Sequence, residues 1–167
     1  MSRRALVVLI GPMGSGKTRL GKRVAKLLDA PFTDTDQLVV AKHGPITDLF
    51  DRHGEALFRA LERTAVIEAL GRGGVIALGG GAVLDSRTRA DLAGERVVLL
   101  TTTPEAVASR LRDGRRPLVR NGVAEWQRIY AERLPLYEGL AQETIDTTQQ
   151  PFDRLAHDLA ERLRVPV

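Results

Sequence analysis

The chain is expected to fold as a three-layer α/β/α domain built on a parallel sheet. Short apolar runs alternate with longer amphipathic stretches: residues 5–10 then 17–28, 75–78 then 87–92, 97–100 then 104–111, and 144–146 then 151–163. That alternation is the pattern of successive βα units. The short runs are almost wholly apolar instead of alternating in and out, as strands covered by helices on both faces must be.

Composition supports one cytoplasmic domain. The 167 residues are 43% hydrophobic and 28% charged, an ordinary globular balance. The sequence has no Cys, which excludes Cys-ligated zinc, iron–sulfur clusters, thiol catalysis and disulfide scaffolds. No run approaches the roughly 20 apolar residues of a membrane helix, and the 5–10 run is too short for a signal-peptide core. An unanchored protein without a membrane partner is expected. The net charge of +4 (25 basic against 21 acidic residues) suits anionic ligands but is not the concentrated basic face of a nucleic-acid binder. Aromatic residues, at 4%, are too few for a base-stacking platform.

Two regions interrupt the βα pattern. Between 36 and 70 there are helical patterns at 37–42, 46–52 and 55–70, separated by the breakers Gly44-Pro45 and Gly54. They predict a helical insertion beside the sheet. The polar, Arg-containing stretch at 113–122 predicts a mobile lid, spanning about 112–123.

The strongest chemical signal is Gly11-Pro12-Met13-Gly14-Ser15-Gly16-Lys17-Thr18, which fits G-x-x-x-x-G-K-[ST] between an apolar strand and an amphipathic helix. Glycines let the backbone wrap closely, so that N–H groups and the helix N-terminus meet phosphates. Lys17 is expected on the β- and γ-phosphates and Thr18 on Mg²⁺, with ATP or GTP as ligand. A bare Gly-rich turn would need neither Lys nor Thr. A regulatory GTPase is disfavoured, since neither N-K-x-D nor an acid closing a Walker B strand is present. Asp34 or Asp36, at the end of the expected second strand, is the natural source of the acid that supports Mg²⁺. A small-molecule kinase suits this arrangement best.

Further motifs follow in a fixed order: Asp34-Thr35-Asp36, Gly54-Glu55-Ala56-Leu57-Phe58-Arg59, Gly79-Gly80-Gly81-Ala82-Val83, Arg116-Pro117-Leu118 and Arg133-Leu134-Pro135-Leu136-Tyr137. Through them the chain resembles the shikimate kinases along essentially its whole length. The resemblance implies a nucleoside-monophosphate-kinase-like P-loop fold with a five-stranded parallel sheet, a substrate-binding helical region and a closing lid. It also implies a monomer that phosphorylates the 3-hydroxyl of shikimate from ATP with Mg²⁺, on the route to chorismate and the aromatic amino acids.

The residue roles it implies are chemically reasonable. Gly14, Ser15, Gly16, Lys17, Thr18 and Arg19 form the nucleotide-binding set. Asp34 supports Mg²⁺ through water, while Asp36 hydrogen-bonds the acceptor hydroxyl as base or as orienting group. Alternate residues at a strand end share a face, which would aim both carboxylates into one cleft. Arg59 and Arg133 match the family arginines that grip the shikimate carboxylate, a task suited to planar guanidinium forks. Without the motifs, Arg59 would read as part of a solvated helix face and Arg133 as a helix terminus.

Gly79, Gly80 and Gly81 follow a buried strand at its carboxyl edge, where open α/β sheets bind ligands. They offer bare backbone N–H groups to the substrate, Gly80 most directly. Arg116 is the matching catalytic arginine of the lid. Arg110 is expected near adenine or the phosphates, and Gln149 or Gln150 on the nucleotide side. His43, His53 and His157 lack metal-ligand spacing and read as solvated surface. Trp126 and Tyr130, four residues apart, read as helix packing behind the lid. The competing readings are another small-acceptor kinase, such as a gluconate or nucleoside-monophosphate kinase, and a non-catalytic nucleotide-binding regulator.

Overall fold

Five strands, β1 (Ala5–Ile10), β2 (Phe32–Asp34), β3 (Gly74–Ala77), β4 (Val97–Thr101) and β5 (Glu143–Asp146), pair in the order β2-β3-β1-β4-β5. Every pairing is parallel. The computed structural model describes residues 5–111 and 122–164. The helices are α1 (Lys17–Leu27), α2 (Thr35–His43), α3 (Ile46–Arg72), α4 (Ser86–Leu92), α5 (Pro104–Leu111), α6 (Val123–Leu140) and α7 (Phe152–Arg164), with a 3₁₀ turn at Ala82–Leu84.

The apolar strands explain the layering. Along β1, Val7 and Leu9 face one way and pack with Leu20 and Val24 of α1 and Leu155 and Leu159 of α7. Val8 and Ile10 face the other way, onto Val66 and Ala69 of α3, Leu92 of α4 and Tyr137 of α6. Both faces of the sheet are therefore dry, which is why its strands lack the in-out alternation of a half-exposed sheet. Burial of these side chains is the main force holding the three layers together.

The insertion forms as the breakers indicate. Gly44 ends α2, and Gly54, non-helical at φ +82° and ψ 172°, divides α3 into two helical segments at a conformation suited to a residue without Cβ. Val39, Leu49, Phe58 and Ala65 make a small core there, with the Phe50 and Phe58 rings 4.8 Å apart. The expected lid lies outside the described residues except for its last two, of which Val123 opens α6. Among the described residues, no helix is long and apolar enough to cross a membrane.

One local expectation is corrected. Asp34 and Asp36 are not alternate residues of one strand, because β2 ends at Asp34 and Asp36 sits in the first turn of α2. Asp34 is the N-cap, accepting a hydrogen bond from Gln37 N at 3.2 Å, and this cap turns the chain directly from strand into helix. Arg133 lies inside a helix and not at its end. α6 continues through Pro135 to Leu140, so Arg133 and Tyr137 lie one turn apart on the same helix.

Candidate active site

The carboxyl ends of three adjacent strands, β2, β3 and β1, carry Asp34, the glycine loop at 79–81 and the phosphate loop at 11–18. Gly16, at φ +96°, caps α1, and the helix N-terminus opens where phosphates are expected.

The carbonyls of the phosphate loop are tied down one after another. Lys17 Nζ donates to Gly11 O at 2.8 Å and to Pro12 O at 3.0 Å. Trp126 Nε1 donates to Met13 O at 2.7 Å, Arg110 Nη1 to Gly14 O, and Thr147 Oγ1 to Ser15 O at 2.8 Å. Every carbonyl from Gly11 to Ser15 thus accepts from a side chain. A loop whose acceptors are engaged in this way presents fewer negative ends to an incoming anion.

The other nucleotide-side residues fall into place unevenly. Ser15 is fully buried, its N–H donates to Pro12 O, and its hydroxyl has no hydrogen-bond partner among the described residues. Arg19 and Arg110 lie over the Phe152 ring, with Cζ at 4.6 and 5.5 Å from its centroid. Gln149 is exposed, and Thr147, two residues earlier, is the residue of that segment bonded to the phosphate loop. Arg116 lies outside the described residues.

Thr18 Oγ1 donates to Asp34 Oδ2 at 2.5 Å, so the last residue of the phosphate loop meets the carboxylate ending β2. A hydroxyl and a carboxylate are hard oxygen donors of the kind Mg²⁺ takes, and the pair fits that ion.

The triple glycine has a steric cause. A methyl group at Gly79 would press on Asp36 Oδ1 and lie 3.1 Å from Glu62 Oε2. At Gly80 it would sit 3.5 Å from Arg133 Nη1, and at Gly81 it would enter the Arg59 guanidinium, 2.7 Å from Cζ. Each glycine leaves room for a different charged side chain. Their N–H groups are not equally free for a ligand, since Gly79 N already donates to Thr35 Oγ1 at 2.9 Å. The Gly80 carbonyl accepts from the Tyr137 hydroxyl at 2.6 Å. Burial raises the Tyr137 phenol to about 12, so it stays a neutral donor at ordinary pH.

Glu62 is a site residue that the sequence reading missed. It is 4% exposed and accepts from Arg59 Nη1 at 2.9 Å. Burial, reinforced by nearby Asp36, raises its carboxyl from 4.5 to about 7 against the opposing pull of Arg59 and Arg133. A sequence signal did exist. Glu62 interrupts the stripe of buried α3 residues Phe58, Ala65, Val66 and Ala69, where a charge needs a buried partner.

Between pH 4.5 and 7 the unfolded chain ionises Glu62 while the folded one retains its proton. Stability therefore falls as pH rises through this window and levels off above it. Urea unfolding at pH 5 and pH 8 is expected to show the wild type losing roughly 2 to 3 kcal/mol relative to Glu62→Gln. Parallel pH dependence in the two proteins would contradict this assignment.

Asp36, Arg59, Glu62, Gly80, Trp126 and Arg133 line one cavity of about 760 Å³. The three histidines are exposed, as expected. Trp126 is not mere packing, since it lines the cavity and bonds the phosphate loop.

This sheet, with a phosphate loop at its carboxyl edge, defines a P-loop kinase fold. The family model described as shikimate kinase matches residues 13–164. The chain is 44% identical to the shikimate kinase of Thermobifida fusca, covering 98% of this chain and 97% of the relative. It is 45% identical to that of Salinispora arenicola, covering 93% and 96%. A solved shikimate kinase from Acinetobacter baumannii, in complex with shikimate, superimposes with a TM-score of 0.86 at 35% identity, covering 95% of this chain and 92% of that one. The chain belongs to the shikimate kinase family.

Proposed function

We propose that this chain phosphorylates the 3-hydroxyl of shikimate from ATP, giving shikimate 3-phosphate and ADP, with the residues gathered around the glycine loop. Family membership and the likeness to a shikimate-bound kinase support the reaction. The single observation that carries the acceptor assignment is that Arg133 and Arg59 converge on Gly80 and Gly81. Successive Cα atoms are about 3.8 Å apart, so two guanidinium groups bear on a space that one carboxylate can bridge.

The roles then divide by position. Lys17, the loop N–H groups and the α1 N-terminus hold the β- and γ-phosphates and stabilise the charge that moves between them. Arg59 and Arg133 grip the carboxylate, with buried Glu62 holding Arg59 in place. Asp36, beside Gly79, directs the acceptor hydroxyl toward the γ-phosphorus and can take its proton. Thr18 and Asp34 would hold Mg²⁺, which supplies charge neutralisation at the phosphates when bound. Arg116 would bring a further cation from the lid formed by 112–123, Arg110 would face the nucleotide, and helices α2 and α3 would form the acceptor-binding region. A cytoplasmic monomer, acting on small molecules and not on nucleic acid or membrane, fits this reading.

The test is the steady-state kinetics of Arg59→Ala. Losing one charge-assisted fork should raise the shikimate KM roughly ten- to a hundredfold and leave the ATP KM nearly unchanged. Equal increases in both would remove Arg59 from carboxylate recognition.

A further inference from the structure

The face of α6 carries four residues whose partners lie on different sides of the site. Trp126, Tyr130, Arg133 and Tyr137 are spaced by four, three and four residues, which aligns them along one stripe. The rings are in edge contact in succession, with centroids 5.3 Å apart for Trp126 and Tyr130 and 6.4 Å for Tyr130 and Tyr137. At one end Trp126 donates to Met13 O of the phosphate loop. At the other end Tyr137 donates to Gly80 O of the acceptor loop. Both side chains are buried, at 4% and 1% exposure. The two loops also meet directly, since the space beside the Gly80 Cα is 3.6 Å from both Gly11 O and Met13 N.

We propose that α6 is a brace that sets the register between donor and acceptor sites, with Trp126 positioning the phosphate loop and Tyr137 positioning the Gly80 peptide. The inference rests on the acceptor assignment made above. Eleven residues of helix separate the two donors, about 16 Å along the axis. A rigid element of that length, bonded to one carbonyl in each loop, fixes the orientation of both peptides. Turning the Gly80 carbonyl toward Tyr137 commits the peptide plane on that side of the loop, and Arg133 is presented from the same helix face. Neither Trp126 nor Tyr137 needs to touch a reacting atom, so both act as positioning residues.

The experiment compares Trp126→Phe, Tyr137→Phe and Arg133→Ala with wild type, measuring both KM values, kcat and thermal stability. Tyr137→Phe keeps its ring and deletes only the hydroxyl, while Trp126→Phe keeps a smaller ring and deletes the indole N–H, so its Tm is read alongside both constants. Tyr137→Phe should raise the shikimate KM roughly three- to tenfold while the ATP KM stays within about twofold. Trp126→Phe should show the converse split. A merely structural role would lower Tm and shift both constants together in each variant, and that result, or no shift in either constant, overturns the brace. Arg133→Ala separates the two levels of inference. If it raises the shikimate KM while Tyr137→Phe does not, only the brace fails. If Arg133→Ala leaves that KM unchanged, the acceptor assignment fails and the brace with it.

Discussion

Replacing Lys17 with Ala is expected to lower kcat by about a thousandfold while the protein stays folded. The Lys17 amine lies against the Gly11 and Pro12 carbonyls, on the inner side of the phosphate loop. These neutral acceptors hold the amine close to where phosphate oxygens will compete for it. A preorganised cation that follows charge onto a transferring phosphoryl group contributes about 3 to 4 kcal/mol to transition-state stabilisation. The ATP KM should rise far less than kcat falls, since loop N–H groups and the helix N-terminus still bind the ground-state phosphates. Turnover within tenfold of wild type would overturn the role given to Lys17.

Asp36→Asn is expected to reduce kcat by about a hundred- to a thousandfold while ATP binding is retained. The substitution preserves shape, so the contact with Gly79 persists. It removes the negative charge that attracts the acceptor hydroxyl and can receive its proton. Shikimate affinity should weaken only modestly, because the carboxylate grip through Arg59 and Arg133 is untouched. Full activity would remove Asp36 from the mechanism. Isothermal titration with a non-hydrolysable ATP analogue checks that nucleotide binding survives, which keeps a chemical defect distinct from a folding defect.

Much of the fold could be read from short-range patterns. The apolar runs gave the strands, with β2 located only through Asp34 and Asp36 at its expected end, and Gly44-Pro45 and Gly54 marked real turns in the backbone. Phosphate-loop geometry is local as well, because glycine spacing and a helix start are properties of neighbouring residues. The parts that escaped depend on distance in the chain. The backbone carbonyls of Met13 and Gly80 have no signature of their own, so nothing local paired them with Trp126 and Tyr137, 113 and 57 residues away. Asp36 was given the right neighbourhood for the wrong reason. A three-residue strand and an N-capping Asp34 put it on a helix turn, where strand alternation does not apply. Glu62 was legible in principle, as a charge inside an apolar stripe, but its partner Arg59 had been explained by the substrate alone. The glycine triplet was read as a donor array. Its spatial cause, room for Asp36, Glu62, Arg133 and Arg59, required the folded arrangement.

The most direct test of the acceptor site is steady-state ADP production by the wild-type protein with Mg-ATP and a panel of shikimate, quinate, gluconate, AMP and no acceptor. Two guanidinium groups beside Gly80 and Gly81, with Asp36 at the adjoining Gly79, favour a hydroxylated carboxylate over AMP, and together with family membership they predict turnover confined largely to shikimate. Comparable or faster turnover of gluconate or AMP, or no turnover above the acceptor-free background, would contradict the site as assembled from Asp36, Arg59, Gly80 and Arg133.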